Sequence, residues 1–309
     1  MSTLLITHPA GLGHDMGPGH PERPDRLRVI ERVLEMERFQ PLLRDQAPEG
    51  SDEQILRVHP KAYLDALREA SPAEGIVRLD ADTVMCPKSL DAATRAVGGA
   101  CLAVDEVMTR LVANAFVAMR PPGHHAERAT PMGFCFFNNA AVAARHAQAV
   151  HGAGRVAIID FDVHHGNGTQ DIFWADPTVM YCSTHEMPLY PGTGAKSERG
   201  EHDTMVNAPL AAGDGSEQFK EAFTSVILPR LHGFAPDLVI VSAGFDAHRR
   251  DPLANINCVE TDYAWVTEQL MEVAQRHSGG RLVSLLEGGY DLQGLSSSVA
   301  MHVVTLMGA

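Results

Sequence analysis

Val156-Ala157-Ile158-Ile159-Asp160-Phe161-Asp162-Val163-His164-His165 begins as a buried strand and ends in ionisable groups. Its first four residues are apolar and largely β-branched, the pattern of a short strand covered on both faces. The same form recurs three times. Ala115 to Met119 runs into Arg120-Pro-Pro-Gly-His124-His125, Leu238 to Val241 into Ser242-Ala-Gly-Phe-Asp246, and Arg281 to Leu286 into Glu287-Gly-Gly-Tyr290. In a parallel α/β sheet the ligand crevice lies beyond the carboxyl ends of the strands, so groups placed there converge on one site. Carboxylates, imidazoles and a phenol gathered in this way suit a metal hydrolase.

The expected fold is therefore α/β, with a mostly parallel central sheet flanked by helices and the site at the carboxyl ends of its strands. Length alone would allow about two domains, but groups from positions near 120, 160, 246 and 290 meet only if one sheet holds them all. A single domain over residues 1–309 is expected. Further strands are expected at Leu4 to His8 and Thr178 to Ser183. Helices are expected after Asp25, around Ser51 to His59, across Lys61 to Ala70, from Ala92 to Leu111, after an asparagine cap at Asn138, from Glu217 to Leu231 and from Thr261 to Arg276. Gly11 to Pro24 and Tyr190-Pro-Gly-Thr-Gly194 read as loops.

Composition narrows the class. The net charge of −14 weighs against binding a nucleic-acid backbone and is compatible with cationic substrates. No run approaches the roughly 20 apolar residues of a membrane span, and the start has no basic segment ahead of a long apolar one. A cytoplasmic protein is the expectation. The five cysteines, Cys86, Cys101, Cys135, Cys182 and Cys258, form no CxxC pair and read as reduced thiols. Oligomeric state is left open, a homo-oligomer included.

Side chains alternate along extended backbone, so Asp160, Asp162 and His164 share one side just past Val156 to Ile159. Carboxylates and an imidazole so crowded would repel one another unless a cation compensated them. Asp162, His164 and Asp246 would form an O, N, O triad with open positions, the pattern of a catalytic site. Oxygen-rich ligation accepts zinc, and iron(II) or cobalt(II) as well. Taken alone, the DxDxH pattern fits a capped turn with surface carboxylates equally well.

Pro121-Pro122-Gly123 constrains the backbone so that His124 and His125 are expected to be presented rather than buried. A histidine of near-neutral pKa takes a proton from water and returns it to a leaving amine. Two adjacent imidazoles divide that labour if their partners differ, and Asp160 and Asn167 are available as unlike partners. Glycines 288 and 289 let Tyr290 approach closely, and its hydroxyl would donate to an oxyanion. Of the 16 histidines, His59, His146, His151, His202, His232, His277 and His302 read as structural, and His14 and His20 as turn-forming. Glu127 and Glu186 lie in loops near the expected mouth of the site, where they would serve as an acidic gate or, the reading preferred, stand as solvated loop carboxylates.

Arg120-Pro-Pro-Gly-His-His-Ala126, Gly133-Phe-Cys-Phe-Phe-Asn-Asn139, Asp160-Phe-Asp-Val-His-His-Gly-Asn-Gly-Thr169, Tyr190-Pro-Gly-Thr-Gly194, Ser242-Ala-Gly-Phe-Asp-Ala247 and Glu287-Gly-Gly-Tyr290 together resemble the histone deacetylase superfamily. Their form is similar to its class II branch and to bacterial acetylpolyamine amidohydrolases and deacetylase-like amidases. The resemblance runs from His20 almost to the C-terminus. It implies the arginase/deacetylase fold, zinc on Asp162, His164 and Asp246, and His125 as general base and acid partnered by Asn167. It further implies His124 as an electrostatic partner tied to Asp160, and Tyr290 as the oxyanion donor. Gly133, Phe134 and Tyr190 would wall a tunnel for an aliphatic side chain, with Leu253 at its rim. Tyr190 departs from the pattern, where phenylalanine is more familiar.

The family also binds potassium, largely through backbone carbonyls, and Asp160, Asp162, His164, Ser183 and Thr184 fall on that pattern. The substrate implied is an N-acetylated amine of the acetyl-lysine type, with acetylpolyamines and small xenobiotic amides as alternatives. A non-catalytic acyl-lysine binding module and an arginase-like binuclear hydrolase are the remoter readings.

Overall fold

A computed structural model describes residues 2–308. Eight strands form one all-parallel sheet: β1 (Thr3–Thr7), β2 (Leu43–Gln46), β5 (Asn114–Val117), β6 (Val156–Asp160), β7 (Val179–Glu186), β8 (Met205–Leu210), β9 (Leu238–Ala243) and β10 (Leu282–Leu286). A small antiparallel hairpin, β3 (Val77–Arg78) and β4 (Val84–Met85), stands apart from it. The sheet order is β2-β1-β5-β10-β9-β6-β7-β8. The four strands expected to carry chemistry are thus neighbours at its centre.

Period-two alternation sends successive side chains to opposite faces, and both faces are covered. Leu5, Phe116, Ile159, Val241 and Leu286 pack with the helices Asp25–Leu34, Glu260–His277 and Leu292–Leu306. Leu4, Val117, Ile158, Ile240 and Leu285 pack with Lys61–Ala70, Ser89–Met108 and Asn139–His151. This double burial explains why the central strands read as unbroken apolar runs. Asn138 caps the helix that follows it, its side chain accepting from the Ala141 N–H at 2.9 Å.

Several boundaries differ from the sequence reading. The start of the expected Gly11–Pro24 loop is a short helix, Ala10–Gly13. The helix expected from Glu217 to Leu231 is interrupted by a π-turn at Phe223–Ile227. The expected helix from Ala92 to Leu111 runs over Ser89–Met108. The edge strands β2 and β8, the hairpin and the helices Asn167–Phe173 and Leu292–Leu306 have no counterpart in that reading. All five cysteines are free and buried. No helix is long and apolar enough to cross a membrane among the described residues.

Two buried histidines sit in closed hydrogen-bond settings and are held neutral by burial. His59 donates through Nδ1 to the Arg128 carbonyl at 3.0 Å and accepts from the Asn138 N–H at 3.0 Å. In the same way, His302 lies between Thr267 Oγ1 at 2.6 Å and Ser284 Oγ at 2.8 Å. Burial pushes His59 down to about 4 and His302 down to about 3. Below the ordinary histidine value of about 6.5 the unfolded chain therefore binds protons that the native state refuses. Each such ring should cost about 1.4 kcal/mol of stability per pH unit between that value and its folded one. Urea unfolding of His302→Gln from pH 6 to 4.5 should show a slope with pH shallower than wild type by about that amount. Equal slopes would contradict the assignment.

His146 and His151 both reach Asp105 Oδ1 through Nε2, at 2.8 and 2.6 Å. Arg57 meets His146 Nδ1 at 2.6 Å. A guanidinium only donates, so His146 keeps its proton on Nε2 and offers no lone pair there for an ion.

Candidate active site

Past the end of β6 the backbone turns so that each polar side chain is fixed by the next peptide. Asp160 Oδ1 accepts from the Asp162 N–H at 3.1 Å, and Asp162 Oδ1 from the His164 N–H at 2.9 Å. From the neighbouring β9 end, Asp246 accepts the Val163 N–H at 2.8 Å. From the β10 end, the Gly288 N–H donates to Asp162 Oδ2 at 2.8 Å. His164 Nδ1 then lies 3.1 Å from Asp162 Oδ1 and 3.2 Å from Asp246 Oδ2. The three side chains are buried, and Asp246 Oδ2 meets no polar group but the His164 ring among the described residues.

That set fits a divalent cation. Burial, then the charge of Asp162, pushes Asp246 up to about 7. Burial opposes the charged form of His164, but hydrogen bonds to Asp162 and Asp246 hold it at about 10. A proton on His164 supplies positive charge between the buried Asp162 and Asp246 carboxylates, a place an ion of higher charge fills better. Backbone glycine is required beside it: a Cβ at Gly288 or Gly244 would overlap Asp162 Oδ2, and one at Gly288 would also overlap Asp246 Oδ2.

His124 and His125 are buried, at 2% and 4% exposure, contrary to the expectation that they are presented. Their rings lie 4.0 Å apart, centroid to centroid. His124 Nδ1 meets Asp160 Oδ2 at 2.9 Å, and that oxygen also accepts from Tyr181. Burial works against a charge on His124, but Asp160, Asp162 and Glu287 outweigh it and hold the ring well above the usual range. His125 Nδ1 meets Asn167 Oδ1 at 2.8 Å. Burial, then the charges of His124 and His164, drive His125 well below the usual range. The two adjacent rings are thus pushed in opposite directions, His124 towards the charged form and His125 towards the neutral one.

Glu287 ties this pair to the loop that carries Tyr290. Its Oε2 accepts from the Gly123 N–H at 2.7 Å and the His124 N–H at 3.1 Å, while Ser242 donates to Oε1 at 3.0 Å. Arg26, fully buried, donates to the carbonyls of Glu287 and Gly289 and sits 5.0 Å from the Tyr290 ring centroid. It is paired with Glu22, a single carboxylate that it shares with Arg120 and that lies 3.2 Å from His14. His14 is thus part of a buried ion network rather than a turn former. Gly289 takes φ of +121°, which lets the chain double back and aim Tyr290 inward.

A cavity of about 200 Å³ opens above these groups. His125, His164 and Tyr290 line its floor, and Gly133, Phe134, Leu189, Tyr190 and Leu253 line its sides. Gly133 has φ of +56°, and a Cβ there would overlap the His125 ring. Phe134 stands edge-on to Tyr290 at 5.9 Å and Tyr190 edge-on to His125 at 5.1 Å. A larger, open groove of about 480 Å³ between Lys196 and Val226 contains no comparable set of groups.

Sequence reasoning missed Asp82 at the cavity mouth. It accepts from the Gly133 N–H at 3.1 Å, and burial, then Asp80, pushes its carboxyl up. Its only signal was a pair of acids in a turn, indistinguishable from a solvated hairpin. Glu186 is not a loop carboxylate: it ends β7, is buried, and holds Asn255 at 2.7 and 2.9 Å. Nor is Glu127 simply solvated, since it is half-buried and accepts from Asn167 at 3.0 Å. Ser183 and Thr184 lie buried on β7, with Ser183 Oγ 2.8 Å from His185 Nδ1 and Thr184 Oγ1 without a partner.

Residues 20–306 match the histone deacetylase domain. The chain belongs to the histone deacetylase family. Among similar members, a probable deacetylase of Archaeoglobus fulgidus is 37% identical over 317 residues, spanning 99% of this chain and 86% of its own length. The histone deacetylase-like amidohydrolase of Pseudomonas aeruginosa is 39% identical over 277 residues, 88% of this chain and 73% of its own. The crystal structure of the HDA15 HD domain matches with a TM-score of 0.94 and 39% identity, covering 100% of this chain and 89% of the other. The histone deacetylase fold is therefore the fold of this chain, and deacetylase or amidohydrolase chemistry is the activity of its family.

Proposed function

We propose that this chain, as one catalytic domain, hydrolyses N-acetyl amides of the acetyl-lysine type to acetate and free amine, with zinc held by Asp162, His164 and Asp246. The observation that carries the reading is that His164, grouped with Asp162 and Asp246 as a possible ion site, lines one cavity together with His125 and Tyr290. A divalent ion bound there supplies Lewis acidity, polarising the acyl oxygen and lowering the pKa of water. His125, neutral and held by Asn167, takes the proton from the attacking water and returns it to the departing amine. His124 stays charged against Asp160 and stabilises the negative charge that develops. Burial keeps the Tyr290 phenol protonated, with Arg26 opposing that shift, so its O–H donates to the oxyanion. Phe134 and Tyr190 grip the aliphatic stem and exclude water, and Leu253 borders the entrance. Asp160, Asp162, His164, Ser183 and Thr184 are the candidate surroundings of a structural potassium ion.

Acetylpolyamines are the second reading, favoured by Asp82 in the cavity lining, where a second ammonium group would find a carboxylate. The test is acetate release from an acetyl-lysine peptide, acetylputrescine, acetylspermidine and simple anilides, before and after chelation. Activity that chelation removes and zinc restores is expected, highest on the peptide. Release that chelation leaves unchanged, or none on any substrate, would reject the reading, and a higher kcat/KM on the polyamines would move the substrate to the second.

A further inference from the structure

We propose that Glu127 is a positioning residue that sets the tautomer of His125 through Asn167; the role rests on the reading of His125 as the base. Asn167 Nδ2 lies 3.0 Å from Glu127 Oε1 and 3.2 Å from Met132 Sδ, while its Oδ1 lies 2.8 Å from His125 Nδ1. A carboxylate and a thioether accept and never donate in these contacts, so the amide must turn its NH2 towards them. Its oxygen then faces His125, which must carry its proton on Nδ1 and leave the Nε2 lone pair for the cavity. Without Glu127 the amide is free to turn over. Its NH2 would then face Nδ1, place the ring proton on Nε2 and leave no base.

Nothing else on Asn167 makes that choice strongly, because a thioether is a weak acceptor. The position of Asn167 is itself well fixed. A Cβ at the adjacent Gly168 would overlap the Ala126 carbonyl, so this turn lies directly against the His125-Ala126 backbone. Glu127 is fixed from its own side, its N–H donating to the Thr130 carbonyl at 3.0 Å. The chain from Glu127 through Asn167 to His125 is a directed relay of hydrogen bonds, and its direction is imposed at the carboxylate end.

The test uses zinc-loaded protein labelled with 15N-histidine, in which long-range proton-nitrogen spectra report which ring nitrogen is protonated. The His125 signals are identified by their loss in His125→Asn. Wild type should show the Nδ1–H form, and Glu127→Ala should shift His125 towards Nε2–H. Its kcat should fall on the order of 10²-fold with KM little changed. Glu127→Gln, which keeps one acceptor, should lose less. Asn167→Asp should be harmful beside Glu127 yet restore kcat in the Glu127→Ala background, because an aspartate accepts whichever way it turns. An unchanged tautomer in Glu127→Ala, or no recovery in the double variant, would overturn the relay. The spectra read the tautomer without turnover, so a failed deacetylase assignment would be told apart from a failed relay.

Discussion

Tyr290→Phe is expected to lower kcat by about 10² to 10³-fold, the loss of one oxyanion donor, or roughly 2.7 to 4 kcal/mol. The substitution removes one oxygen and little else. Tyr290 is held by its backbone, whose N–H donates to Asp251 at 2.7 Å, and by Arg26 and Phe134 around the ring. The phenyl group should therefore stay in place, with KM and zinc content close to wild type. Turnover undiminished in this variant would remove Tyr290 from the reaction, and lost zinc would mean the site had rearranged. The split between kcat and KM separates a donor used only in the transition state from a wall of the cavity.

Asp246→Asn is expected to take zinc from about one ion per chain towards none and to abolish acetate release. The amide can keep the bond from the Val163 N–H while removing the charge that faces Asp162 and His164. That charge is costly without an ion, since Asp246 Oδ2 is buried, faces only the His164 ring, and lies close to a second carboxylate. The metal-free variant should thus unfold at a temperature no lower than metal-free wild type. Chelation should lower the melting temperature of wild type and leave that of Asp246→Asn unchanged, because only a bound ion stabilises by mass action. A variant that keeps its zinc and its activity would remove Asp246 from the triad.

What the sequence made legible follows from burial. The strands β5, β6, β9 and β10 lie at the centre with helices on both faces, so their apolar runs announce themselves and their polar ends stand out. The edge strands were silent for the converse reason. In β2, Leu43-Arg-Asp-Gln46 is exposed throughout, and Pro209 interrupts the apolar reading of β8. The burial of His124 and His125 was misread because Pro-Pro-Gly describes only the local chain. Gly133 covers one ring by way of the loop that follows it, and Glu287, from distant sequence, holds the other's backbone. The same limit hid Asp82 and the partnership of Glu127 with Asn167, since a carboxylate in a turn carries no mark of what folds against it.

The sheet order also has a consequence for biosynthesis. Strands β2, β1 and β5 form one flank, and β9, β6, β7 and β8 the other, with β10 alone bridging them. Among the strands of this sheet β10 comes latest in sequence, and it joins a half-sheet bearing His124 and His125 to one bearing Asp162, His164 and Asp246. The strand pairing that joins the halves thus waits for residues 282–286, which carry Tyr290 in behind them.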